Sequence, residues 1–300
     1  MPVGNSEKGV GLWAGQVMFS SDQMIDYMDW FHGPLKEEGD SLNHNGNMLL
    51  AKKMIISASE NGANICKFQT WSEKRLKSGP WDNDGRREIY KKAELSMDDH
   101  ILLKEFCEKN SVKFMTSIFN INDIENLSSL DMKMIKIPSH EIYNLELIKG
   151  TANAFESVLI STGAAKWSEI LKITDSISFD KLILMHCVST YPCSIDKINL
   201  PRMEELKKFN GVVGYSGHYH GIDDAVGAIC QGATIIEKHF TIDQDLPGRD
   251  NKFAITPKQM KELADFRNNY VKMNIYRGLD LQESEMDTYQ NYRGRWSKDV

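Results

Sequence analysis

The stretch 234-TIIEKHFTID-243 decides the fold of this 300-residue chain. Thr234, Ile235 and Ile236 have the β-branched side chains of a buried strand, yet the run continues without a turn into Glu237, Lys238 and His239. Burying an acid, an amine and an imidazole in succession is costly unless they reach a polar site. A (β/α)8 barrel resolves the conflict, because its strand interiors are core while its C-terminal strand ends build the active-site face. Six further runs end in the same way: 64-NICKFQT-70, 112-VKFMTSI-118, 133-KMIKIPS-139, 157-SVLIST-162, 181-KLILMHCV-188 and 212-VVGYS-216. Their last positions bring Lys67 and Gln69, Thr116 and Ser117, Lys136 and Ser139, Ser161 and Thr162, His186 and Ser189, and Ser216 and His218.

Between these runs lie segments of helical period at 47–62, 98–110, 167–176, 200–209 and 221–232. Another, 257–272, opens with Thr256 as N-cap and Pro257 at the first helical position. Strands alternating with helices predict a parallel sheet of βα units. Seven strands are one short of eight, and the polar segment 35-LKEEGDSLN-43, just before the first helix, takes the missing place as an irregular first strand. The expectation is an α/β (β/α)8 TIM barrel over 35–275, an N-terminal extension over 1–34 and a tail over 276–300. An open doubly wound sheet is the alternative, but no GxGxxG turn supports it.

Hydrophobic residues make up 41% of the chain, enough for a sizeable core, and the net charge of −6 is spread over both signs. That balance argues against nucleic acid or an anionic membrane as partner. The opening MPVGNSEKGV lacks the apolar run of a signal peptide, and no segment approaches the ~20 apolar residues of a membrane span. A cytoplasmic protein is expected. Five cysteines, Cys66, Cys107, Cys187, Cys193 and Cys230, form no CxxC pair and read as reduced, buried residues.

The strand ends suggest chemistry. His218 and His239 follow consecutive strands and should lie side by side, where two neutral imidazoles can hold a divalent ion and leave positions open for substrate oxygens. A hydrogen-bonded histidine pair is the plainer alternative, and His220 and His44 are competing ligands. Lys67 and Lys136, inside apolar strands, call for an anion to balance their charge. With Ser117, Ser139 and Ser161 they could hold a phosphate, whereas either lysine alone could simply extend to solvent. The loop 244-QDLPGRDN-251 carries Asp245, Arg249 and Asp250, which could bind sugar hydroxyls or merely face water.

From Asn43 to about Lys272 the chain resembles the barrel domain of the sialic acid synthases. The matching stretches are 43-NHNG-46, 67-KFQT-70, 136-KIPSHEIYNLELI-148, 161-STG-163, 186-HCVSTYP-192, 217-GHYHGI-222 and 237-EKHFTIDQDLPGRD-250. The resemblance implies condensation of phosphoenolpyruvate with an N-acylated amino sugar to give a nonulosonic acid and phosphate. It implies His218 and His239 as ligands of manganese or magnesium. Lys67, Gln69, Ser117, Lys136, Ser139 and Ser161 would surround phosphoenolpyruvate, and Tyr191 and Asp250 would contact the sugar.

The family's first strand ends in Glu-x-Gly-x-Asn-His-Asn-Gly, its Glu being the expected proton-transfer residue. Here 37-EEGDSLNHNG-46 holds two extra residues, so Glu37 fits the pattern and Glu38 or Asp40 could replace it. Family members also continue into a small antifreeze-like domain that reaches a partner's site with an arginine and supports a homodimer. This sequence stops at 293-RGRWSKDV-300, so weaker sugar binding, or completion by a separate chain, is expected. A catalytically reduced homologue that binds ligand or partner as a scaffold is the alternative function.

Overall fold

The apolar runs form parallel strands that lie beside one another in chain order. The computed structural model describes residues 21–24, 48–80, 86–246 and 250–296. The chain divides into two units, Met1–Arg267 and Asn268–Val300. Strands of the first are β1 (Ser21–Met24), β2 (Ile65–Thr70), β3 (Lys113–Ile118), β4 (Met134–Ile137), β5 (Ser157–Ser161), β6 (Leu182–Cys187), β7 (Val213–Gly217) and β8 (Ile235–His239). From β2 to β8 they make a curled, seven-stranded parallel sheet, each strand paired with its sequence neighbours. β1 pairs in parallel with both edges, Met24 standing opposite Lys67 on β2 and His239 on β8.

The position of β1 differs from expectation. The segment 35–43, expected as the first strand, lies outside the described residues, and the pairing strand falls in the stretch expected as an extension. Ser-Asp-Gln-Met holds a single apolar residue, so no hydrophobic alternation marks it as a strand.

Helices cross between the strands: α1 (Met48–Glu60), α2 (Arg86–Ala93), α3 (Met97–Lys109), α4 (Ile124–Ser128), α5 (Leu145–Ala154), α6 (Trp167–Thr174), α7 (Arg202–Lys207), α8 (Asp223–Cys230) and α9 (Pro257–Met273). The expected cap of α9 is present: the Gln259 amide donates to Thr256 Oγ1 at 3.4 Å, and the Thr256 amide donates to Gln259 Oε1 at 2.9 Å. Ser96 and Asp99 cap α3 reciprocally in the same fashion. Each box satisfies amides that the first turn leaves without helical partners.

With helices outside, both faces of the strands are covered, and β2, β7 and β8 are buried along their whole length. The two-residue strand period then sorts side chains inward and outward. Ile65, Met115, Leu159, Met185 and Ile235 form one buried inner cluster, with Met134 and Ile183 packed on it. Each such side chain contributes about 1.5–3 kcal/mol when fully buried. Two positions further along, the inward residue becomes Lys67, Ser117, Lys136, Ser161, Cys187 and Glu237, and on β7 Ser216 follows Gly214. An apolar layer thus closes the interior near the strand starts, and a polar layer sits directly above it.

Among the described residues no helix is long and apolar enough to cross a membrane. Among the described residues no disulfide joins any of the five cysteines. Four are buried as expected, while Cys230, ending α8, is exposed. In the second unit the turns Glu283–Glu285 and Thr288–Tyr292 follow the close of α9, and almost all described side chains face solvent.

Candidate active site

The polar layer is organised by a carboxylate. Glu237, buried at 1% exposure, accepts a short hydrogen bond from Lys136 Nζ. It accepts another from Ser216 Oγ at 3.2 Å, and Lys67 Nζ lies 4.0 Å from the same oxygen, Oε1. Lys136 Nζ also reaches Ser216 Oγ at 3.4 Å, and Lys67 Nζ reaches Ser117 Oγ at 3.5 Å. Burial alone would raise the Glu237 carboxyl, but Lys136 and Lys67 together hold it below the usual carboxylate range. Its second oxygen, Oε2, is buried without a hydrogen-bond partner. Among the described residues, Lys136 and Lys67 thus share the Glu237 carboxylate.

Above it stands the histidine pair. The rings of His218 and His239 lie 5.3 Å apart between centroids, and both residues are buried. His218 Nδ1 is 3.1 Å from the Val188 carbonyl, to which it can only donate, so in the neutral ring Nε2 is the nitrogen that carries the lone pair. Burial, helped by the neighbouring His218 ring and the ammonium groups of Lys67, Lys238 and Lys136, pushes the His239 imidazole well below its ordinary range. Asp250 Oδ2 stands 3.4 Å from His239 Nδ1. Tyr191, half exposed, lays its ring 4.1 Å from that of His218, and Phe253 packs 5.1 Å from that of His239.

A third group surrounds Gly163. A Cβ there would overlap Ser189 Oγ and lie 2.8 Å from Ser139 Oγ and 3.0 Å from Cys187 Sγ. Ser161 Oγ is buried without a hydrogen-bond partner, while Ser139 Oγ donates to Cys187 Sγ at 3.6 Å. Burial pushes the Cys187 thiol up, but His218, Ser139 and Lys136 outweigh it and bring it down to about 7. Hydroxyls around a glycine beside two ammonium groups form a cradle for anion oxygens.

Lys67, Lys136, Ser117, His218 and His239 therefore converge, and Ser139 and Ser161 line the adjoining cradle. Gln69 is buried at the end of β2, and Tyr191 and Asp250 flank the histidines. His220 is exposed and Asp245 pairs with Lys252, so neither joins the pair. His186 turns outward, its Nε2 2.7 Å from the Ile198 carbonyl. Glu37, Glu38, Asp40, His44 and Arg249 lie outside the described residues. Sequence reading named Glu237 and Ser216 as strand ends but gave neither a place in the site; counting in twos from Ile235 puts Glu237 inward.

The expected metal can be tested against these donors. Among the described residues no group of three or more His, Cys, Asp or Glu side chains is arranged to hold an ion. A histidine-bound ion about 2.1 Å from nitrogen lies about 3.2 Å from the ring centroid, so one ion can serve two rings about 4.6–6.5 Å apart. The observed 5.3 Å falls inside that interval, and the lowered pKa of the His239 imidazole suits a ligand role. The ring separation thus suits two ligands of one divalent ion.

The model of the NeuB family matches residues 54–275. An N,N'-diacetyllegionaminic acid synthase of Legionella pneumophila is 36% identical over 242 residues, covering 74% of this chain and 68% of that protein. A pseudaminic acid synthase of Campylobacter jejuni is 28% identical over 288 residues, covering 84% of each. Among solved structures, an N-acetylneuraminic acid synthetase of Leptospira borgpetersenii in complex with citrate is similar at TM-score 0.75 and 32% identity, with 84% of this chain and 90% of that chain covered.

Proposed function

The chain belongs to the NeuB family of enzymes, and from that premise we propose that it condenses phosphoenolpyruvate with an N-acylated amino sugar, giving a nonulosonic acid and phosphate. One observation carries the reading: two buried ammonium groups and a buried histidine pair open on the same interior at the C-terminal ends of the strands.

Lys67 and Lys136 hold the phosphate of phosphoenolpyruvate, with hydroxyls of Ser117, Ser139 and Ser161 filling its remaining acceptor positions. Glu237 keeps the two ammonium groups placed before the anion arrives. His218 and His239 would hold a divalent ion, manganese or magnesium, which supplies Lewis-acid polarisation of the sugar aldehyde. Gln69, Tyr191 and Asp250 orient the sugar above the deeper ester, and holding both reactants in register replaces a bimolecular encounter. Carbon 3 of the ester bonds to the aldehyde carbon, a water oxygen bonds to carbon 2, and the bond from carbon 2 to the phosphate oxygen breaks. The two water protons end on the new hydroxyl and on the departing phosphate. Glu37 or Glu38 is assigned the proton transfer, and the lysines stabilise phosphate charge throughout.

The reading includes a complete (β/α)8 barrel with Ser21–Met24 as its first strand, supported by the pairing of that strand on both sides. It also carries a cytoplasmic location and a homodimer. Phosphate release over a panel of N-acyl amino sugars, with and without chelator, tests it together with mass analysis for a nine-carbon 2-keto acid. Metal-loaded protein that releases no phosphate with any such sugar would refute the proposal.

A further inference from the structure

Behind the histidine pair, on the outward side of β7 and β8, lies a second buried ion pair to which nothing above gives a role. Lys238 Nζ donates to Asp224 Oδ1 at 3.0 Å and Oδ2 at 2.8 Å, and to the Tyr219 carbonyl at 2.8 Å. Tyr215 Oη donates to Asp224 Oδ2 at 2.9 Å. Lys238 and Asp224 are each 2% exposed. Taking two charges out of water costs about as much as their attraction returns, so such a pair is poor evidence of stability; its best-attested use is to specify geometry.

The geometry it can specify is visible in the chain connections. Lys238 immediately precedes His239, and Tyr219 immediately follows His218. One ammonium therefore ties the backbone beside one imidazole to the backbone beside the other. The remaining contacts of His218 complete the hold: its carbonyl accepts from the Cys193 amide at 2.9 Å, and its ring donates to Val188. There is no slack behind it. A Cβ on Gly217 would overlap Asp224 Oδ2 and lie 2.5 Å from Tyr215 Cε1, so the carboxylate already fills the space a side chain at 217 would need.

We propose that Lys238, Asp224 and Tyr215 are positioning residues that fix the separation of the His218 and His239 imidazoles for a divalent ion. The inference rests on the reading of that pair as a metal site. It assigns the clasp no contact with substrate and no part in proton transfer.

Three variants of the full chain test it: Lys238→Met, Asp224→Asn, and the triple Tyr215→Phe/Asp224→Leu/Lys238→Met, which removes every charged or hydroxyl partner together. Chelator-stripped protein is titrated with Mn2+ alone, amide hydrogen exchange is followed over 218–222, and melting temperature is recorded. Loss of a supporting contact behind a metal ligand weakens metal binding by about 10- to 100-fold, and each variant is expected to fall in that range with faster exchange over 218–222. The triple variant is expected to recover most of the melting temperature that the single variants lose, yet not the Mn2+ affinity. A merely structural pair would restore both. If the single variants do not fold, the triple decides. Mn2+ affinity and loop protection equal to wild type in the triple would overturn the inference and leave the metal site standing. Wild-type protein that binds no Mn2+ would remove the metal site and the inference with it.

Discussion

Replacing Glu237 by glutamine removes the charge that Lys67 and Lys136 share and leaves the shape almost unchanged. Both lysines are buried, Lys67 fully so, and the Glu237 carboxylate lies within 4.0 Å of each. Removing one partner of a buried, hydrogen-bonded ion pair costs about 3–5 kcal/mol, because the remaining charge is left without compensation. At about 2 °C per kcal/mol for a domain of this size, Glu237→Gln should melt about 6–10 °C below wild type. The same reasoning predicts a remedy. An anion drawn into the layer restores the balance, and a ligand at 100 times its Kd returns about 2.7 kcal/mol. Differential scanning fluorimetry with increasing inorganic phosphate should therefore lift the variant by several degrees more than wild type. A variant that melts within about 2 °C of wild type, with no larger response to phosphate, would show that the carboxylate balances no buried charge. The lysine pair could not then be the anion cradle.

Gly163→Ala should raise KM for phosphoenolpyruvate at least tenfold and lower the melting temperature by a few degrees, since the new methyl overlaps Ser189 and crowds Ser139 and Cys187; steady-state kinetics and a melt check both parts. His239→Ala should abolish phosphate release and Mn2+ binding while circular dichroism stays that of the folded protein. His100 gives a pH prediction away from the site. Burial pushes its imidazole below the ordinary range, with the Ser96 carbonyl, Asp99 and Asp123 opposing. The fold therefore binds fewer protons there than the unfolded chain, and its stability is complete above about pH 6.5 and lost as pH falls below that value. Melting temperatures measured from pH 8 to pH 5 should decline below pH 6.5, less steeply in His100→Gln.

What could be read in advance depended on how far apart in sequence the interacting groups lie. Lys67 and Lys136 declared themselves because an ammonium inside a β-branched run violates local expectation, whatever the rest of the chain does. The seven strands from Ile65 to His239 were legible for the same reason, each confined to its own run and ending in polar residues. The partner that organises the lysines was not legible. Glu237 lies 101 positions beyond Lys136 and meets it across the interior, a pairing set by curvature of the sheet and by no local pattern. Asp224 was hidden differently: an acid in the first turn of α8 reads as an ordinary complement to the helix dipole, yet it faces Lys238. β1 was missed because four polar-biased residues leave no periodic trace, and their pairing depends wholly on the two edges they join.

The layer of Ile65, Met115, Leu159, Met185 and Ile235 makes the interior a cul-de-sac. Among the described residues that layer closes the end below the lysines, so whatever docks at the lysines lies beneath whatever docks beside the histidines. On the proposed reading, stacking of the two sites would impose an order: the three-carbon ester would enter ahead of the sugar, and inorganic phosphate would leave after the nine-carbon acid above it.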